Sequence, residues 1–143
     1  MAQSPLPAPS NTDIKPTAVN SDGLVSYQLY INGEFVAPCK GAAIRSQDPV
    51  TGEDWAEIPR GTPDDVDRAC QAAKDAFENK AWRGLTASAR GALMRKLGDL
   101  TTENADWLAA VEMKDNGKLI AELGNQMRYM ANYYYYYGGL ADK

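Results

Sequence analysis

Apolar positions change their spacing partway along the chain. From Tyr27 to Ile58 they come in short β-prone runs, and from Val66 onward they recur at helical spacing. Gln28-Leu29-Tyr30-Ile31 and Glu34-Phe35-Val36 flank Asn32-Gly33. Asn-Gly between two such runs predicts a hairpin, because both turn positions need positive φ. Ala42 to Ser46 reads as a further strand. Asp48-Pro49-Val50-Thr51-Gly52-Glu53 is a turn, and Trp55-Ala56-Glu57-Ile58 alternates as a half-buried strand does. The first structured block is therefore expected to be a small, largely antiparallel sheet.

The helical half opens at Thr62, a good N-cap, followed by Pro63 and the acidic pair Asp64-Asp65. Val66, Ala69, Cys70, Ala73 and Phe77 share one face of a helix that should run to about Glu78. Cys70 on that face reads as a buried structural thiol, and Cys39 as a loop cysteine. After Trp82-Arg83 a second helix should start near Thr86 to Ser88, with Leu93, Leu97 and Leu100 as its core stripe. Gly91 and Gly98 each cost a helix about 1 kcal/mol relative to Ala, so they should mark close packing against another backbone. Asn104 can cap a third helix with Trp107, Leu108 and Val111 facing inward. Asn116-Gly117 should end it. A fourth helix should run from about Leu119 to Tyr137, with Ile120, Leu123, Met127, Met130 and Tyr134 in register. The five consecutive tyrosines from Tyr133 to Tyr137 would occupy every face of it. Some must pack against neighbours while others reach solvent or another chain. The fold class expected is α/β: a small antiparallel strand block followed by about four helices.

Residues 1–26 show no apolar periodicity and are rich in Pro, Ser, Asn and Asp, so they are expected to form a disordered lead-in. No P-x-x-P core there has basic flanks, which weighs against a Pro-rich ligand. No basic n-region or apolar h-region is present in the opening residues, and no run approaches a membrane span. A cytoplasmic protein is the expectation.

The 143 residues suffice for one domain. Net charge is −4, and neither half is basic: residues 1–60 hold 4 cationic and 7 anionic side chains. That argues against a nucleic-acid partner, and the tyrosine run lacks the basic groove of a single-strand platform. Histidine is absent. Its absence removes the commonest general base and zinc ligand, and with them any Ser-His or Cys-His pair. No G-x-G-x-x-G, P-loop or G-x-S-x-G occurs. The carboxylates fall on polar helix faces, and the run Asp64, Asp65, Asp67 is expected to be solvated and explained by the helix dipole. The residues alone give no complete active site.

The ordered set of phrases is more specific than any one of them. Tyr30-Ile31-Asn32-Gly33-Glu34-Phe35, Asp48-Pro49-Val50-Thr51-Gly52-Glu53, Asp65 to Ala69, Trp82-Arg83, Ser88 to Gly91, Leu97 to Leu100, Asp115-Asn116-Gly117-Lys118 and Tyr136 to Lys143 together resemble the N-terminal part of the NAD(P)-dependent aldehyde dehydrogenases. Asp48 stands where Asn is commoner in that family, Ala89 where an acidic residue is usual, and Gly139-Leu140 where Gly-Trp is frequent. The resemblance implies that residues 27–143 are the N-terminal part of a truncated cofactor-binding domain, an incomplete piece of a Rossmann-type unit. It implies an oxidoreductase that converts aldehydes to carboxylic acids with NAD or NADP, through a cysteine thiohemiacetal and thioester, and that assembles as a homo-oligomer. The family's catalytic cysteine, general-base glutamate and cofactor turn follow the matched region. No catalytic or cofactor-binding residue is assigned here, and the chain alone is expected to be inactive and to bind no cofactor. Some family members hold a monovalent cation at positions matching Gln47, through its carbonyl, and Asp115; an Asp accepting N–H at a helix end is the simpler reading. The competing expectation is a non-catalytic interaction fragment that docks onto other chains. A free-standing small helical binding domain ranks last.

Overall fold

The structure, a computed structural model, describes residues 19–143. They divide into two units, residues 19–84 and residues 85–143. Residues 1–18, most of the expected lead-in, lie outside the described residues.

In the first unit β1 (Val25–Ser26), β5 (Asp54–Pro59) and β4 (Ala43–Gln47) form one sheet in the order β1-β5-β4. β4 and β5 are antiparallel, joining Ala43 to Pro59 and Ser46 to Ala56, with the register shifting between Ser46 and Gln47. β2 (Leu29–Ile31) and β3 (Glu34–Val36) form a separate hairpin. Its turn is the expected one: Asn32 has φ 55° and Gly33 φ 82°, which an L-residue other than Asn or Asp rarely accepts. Tyr30 and Phe35 face each other across it, with ring centroids 5.0 Å apart. Two findings depart from the expected block. Its strands lie in two sheets, and the β1–β5 pair is parallel, with Val25 opposite Ala56. Val25 and Ser26 were expected in the unstructured lead-in. The alternating pattern of Trp55 to Ile58 reveals a strand but not which neighbour pairs with its second edge.

The turn between β4 and β5 is fixed by Asp48. Its carboxylate oxygen Oδ1 accepts from the Val50 N–H at 2.8 Å, and its carbonyl accepts from the Gly52 N–H at 2.8 Å. Leu24, Trp55 and Ala56 are buried, and Tyr27 meets the Trp55 indole edge-on at 6.4 Å. α1 (Pro63–Glu78) and the single turn α2 (Lys80–Arg83) complete the unit.

α1 has the predicted bounds but not the predicted burial. Phe77 is 67% exposed, and Val66 and Cys70 are exposed as well. The apolar face is real in sequence, but the hairpin approaches it only on the Ala69 and Ala73 side, so the expectation of a buried Cys70 thiol is corrected.

The second unit contains α3 (Ala87–Glu103), α4 (Ala105–Asn116) and α5 (Ile120–Leu140). Thr86 caps α3 by accepting the Ala89 N–H at 3.2 Å. Ala105, Ala109, Leu123 and Met127 form a core between α4 and α5, flanked by Leu108 and Met113. Burial on α5 recurs at Leu123, Met127, Ala131 and Gly138. Met130 and Ile120, expected in the core, are exposed.

α3 packs through a face rotated from the one expected, and of the expected stripe only Leu100 is half-buried. Gly91, Gly98 and Thr101 are its buried residues, while Leu93 is 53% exposed and Leu97 is exposed too. The expectation that the two glycines mark close packing against another backbone holds for Gly91, which meets the Gly138 carbonyl, whereas Gly98 packs against the Tyr135 side chain. A Cβ at Gly98 would lie 2.6 Å from the Tyr135 ring, and one at Gly138 would lie 2.9 Å from the Gly91 carbonyl oxygen. Helices this close need small residues between them, so Leu93 and Leu97 are left exposed. Asn104 also acts differently from expectation. Its side-chain amide donates back to the Leu100 carbonyl at 2.8 Å, closing α3, and gives α4 no side-chain cap.

Of the tyrosine run, Tyr134 is half-buried and the other four are exposed. Tyr135 lays its ring on Gly98 and donates its hydroxyl to Asp99 Oδ1 at 3.0 Å.

Candidate functional site

Two polar constructions stand out, one in each unit. In the second unit the chain reverses between α4 and α5. Gly117, with φ 73°, takes the left-handed position that closes α4, and its N–H donates to the Met113 carbonyl at 2.8 Å. Asn116 accepts the Lys118 N–H at 3.0 Å through Oδ1 and donates through Nδ2 to Glu112 Oε1 at 3.0 Å. Lys118 Nζ donates to the same Glu112 oxygen at 3.0 Å. The Asn-Gly stop was legible in sequence. The clasp through Glu112, one helical turn before Asn116, is additional. It fixes the exit direction of the chain and places no reacting group.

Asp115 sits one residue before the end of α4 and is exposed. A carboxylate there lies at the negative end of the helix dipole, where a cation is favoured. Gln47 is the last residue of β4, exposed, and next to the register shift. Gln47 belongs to the first unit and Asp115 to the second. Their oxygen donors are of the type that hard cations take. Among the described residues no group of three or more His, Cys, Asp or Glu is placed to hold a metal ion.

In the first unit the centre is Asp65. Its carboxylate is 2% exposed. It accepts the Thr62 N–H at 2.9 Å and the Thr62 hydroxyl at 2.8 Å. The Cys39 N–H lies 3.2 Å from both oxygens, and Arg68 Nη1 lies 3.3 Å from Oδ1. The Thr62 backbone N–H, followed by Cys39, holds this carboxyl well below the usual carboxylate range, against the opposing effect of burial. Asp65 is thus the exception to the solvated acidic face expected of Asp64, Asp65 and Asp67. Thr62-x-x-Asp65 has the spacing of a capping box, which was the signal available in sequence. The 26-residue separation from Cys39 was not.

Chemically this arrangement is a tie. Its oxygens are already occupied by donors, it is buried, and the lowered pKa makes it a weak base, so Asp65 is poorly suited to act as a general base. It joins the segment after the hairpin to the first turn of α1. Cys39 is exposed, and Arg68 Nη1 donates to its Sγ at 3.2 Å.

Two open grooves lie on the described residues as well. One of about 310 Å³ runs between the hairpin residues Tyr30 to Gly33 and Ala69, Ala72, Ala73 and Ala76 of α1. The other, of about 480 Å³, lies on the outer side of α5 against Asn125, Gln126, Tyr129, Met130 and Tyr133. Neither gathers a set of convergent acid, base or nucleophilic groups.

The comparisons with known proteins agree with one another. The model of the aldehyde dehydrogenase family matches residues 35–143. The (Z)-2-((N-methylformamido)methylene)-5-hydroxybutyrolactone dehydrogenase of Acinetobacter baylyi is 52% identical over 118 residues, which are 82% of this chain and 24% of the relative. Aldehyde dehydrogenase 1 of Tanacetum cinerariifolium is 39% identical over 121 residues, 81% of this chain and 23% of that protein. Among solved structures, betaine aldehyde dehydrogenase from Staphylococcus aureus in complex with NAD+ superposes with a TM-score of 0.78 at 34% identity, over 81% of this chain and 23% of that one. The chain spans about a quarter of the length of the curated relatives it matches.

Proposed function

The chain belongs to the aldehyde dehydrogenase family, and from that premise we propose that it is the N-terminal, scaffold-supplying segment of an oxidoreductase that converts aldehydes to carboxylic acids. The observation that carries this reading is the superposition of 81% of the chain on one contiguous family architecture at a TM-score of 0.78. The reaction proceeds through a cysteine thiohemiacetal and thioester, with NAD or NADP as the hydride acceptor. On this reading the reacting groups belong to a longer polypeptide. Cys39 and Cys70 are not the nucleophile: the first lies in the loop tied to Asp65, and the second on the side of α1. No Gly-rich phosphate turn is present in the sequence, so no residue here is assigned to hold the cofactor.

What these residues do is build support. The α3–α5 crossing and the Glu112 clasp set the helices, and the Asp65 tie sets the hairpin segment against α1. The exposed apolar residues of α1 and α3, Val66, Phe77, Leu93 and Leu97, support assembly within a larger homo-oligomeric enzyme, because exposed apolar patches mark interaction surfaces. Two free cysteines accord with a cytoplasmic setting. No described helix is long and apolar enough to cross a membrane. Gln47, through its carbonyl, and Asp115 are each proposed as a cation-coordinating position in the full-length enzyme.

The purified 143-residue chain should show no aldehyde-dependent reduction of NAD or NADP. Turnover surviving rigorous removal of host dehydrogenases would overturn the scaffold assignment. The same exposed faces favour a second reading, a non-catalytic fragment that docks onto other chains. Size-exclusion chromatography with light scattering separates the two: a compact, well-behaved monomer counts against docking.

A further inference from the structure

We draw no further inference here: the strongest candidate, the open groove on the outer face of α5 lined by Asn125, Gln126, Tyr129, Met130 and Tyr133, is an unpartnered helix face with nothing in the structure to show what covers it.

Discussion

Gly91 and Gly138 meet backbone to backbone where α3 crosses α5. A Cβ on Gly138 would lie 2.9 Å from the Gly91 carbonyl oxygen and 3.1 Å from Met94 Cβ. The Gly138 carbonyl also accepts from Arg95 Nη1 at 3.0 Å, so the two helices are joined at this point by packing and by a hydrogen bond.

Gly138→Ala sets two effects against each other. Replacing a helical glycine by alanine contributes about 1 kcal/mol of helix propensity. Overpacking costs about 1–3 kcal/mol, and here the obstructing atom is a main-chain oxygen that no rotamer change can move. The clash should win, with a net loss of up to roughly 2 kcal/mol in urea unfolding followed by circular dichroism. Gly139 is the control: a Cβ there meets nothing within 4 Å. Gly139→Ala should leave the midpoint unchanged or raise it. Equal effects from both variants would show that the crossing is not tight.

The Asp65 carboxylate gives stability a defined pH dependence. Its pKa is lower in the folded chain than the value of about 3.9 in an unfolded one. Folding is therefore favoured at pH values above that unfolded pKa, and the contribution is lost progressively as pH falls below it. Asp65→Asn should lower stability at pH 7 and flatten the acid limb of a stability–pH curve below about pH 4. An unchanged acid limb in the variant would mean that other carboxylates dominate acid unfolding.

Sequence sufficed where a feature is set within a few residues. Asn32-Gly33, Thr62-Pro63, Thr86 and Asn116-Gly117 were legible because turns and caps are set within a few residues, and the structure places each at the expected boundary. Gly91 and Gly98 were read as close-packing positions because a helical glycine needs a reason. The facing direction was not legible. Leu93 and Leu97 recur with the same periodicity as a core stripe, and only the partner helix decides that Gly91, Gly98 and Thr101 turn inward. Cys70 failed for a related reason, since an apolar face predicts burial only if something covers it. The burial of Asp65 depends on Cys39, 26 positions earlier, and the parallel β1–β5 pairing on contacts of similar range. The family resemblance rested on ordered local phrases, and local phrases survive reading from sequence. The proposed cation positions Gln47 and Asp115 came from that resemblance, because neither has a local spacing that marks it as a ligand.

The cation proposal has its own test in a full-length protein carrying this segment. Exchanging Na+ and K+ for a bulky organic cation at constant ionic strength should lower the thermal midpoint by a few degrees, on the order of 1 kcal/mol of lost linkage. Asp115→Asn should remove most of that difference. A difference that persists undiminished in the variant would take Asp115 out of the site.

A family scaffold segment should be exchangeable into a working relative with turnover retained. Residues 35–143 would replace their counterpart in the Acinetobacter baylyi relative, which shares 52% identity over the aligned region. Substrate-dependent formation of NADH or NADPH would then be measured on the soluble chimera. The account predicts turnover within about tenfold of the parent, a difference of about 1.4 kcal/mol in the activation barrier. A soluble, correctly assembled chimera with no turnover would contradict it.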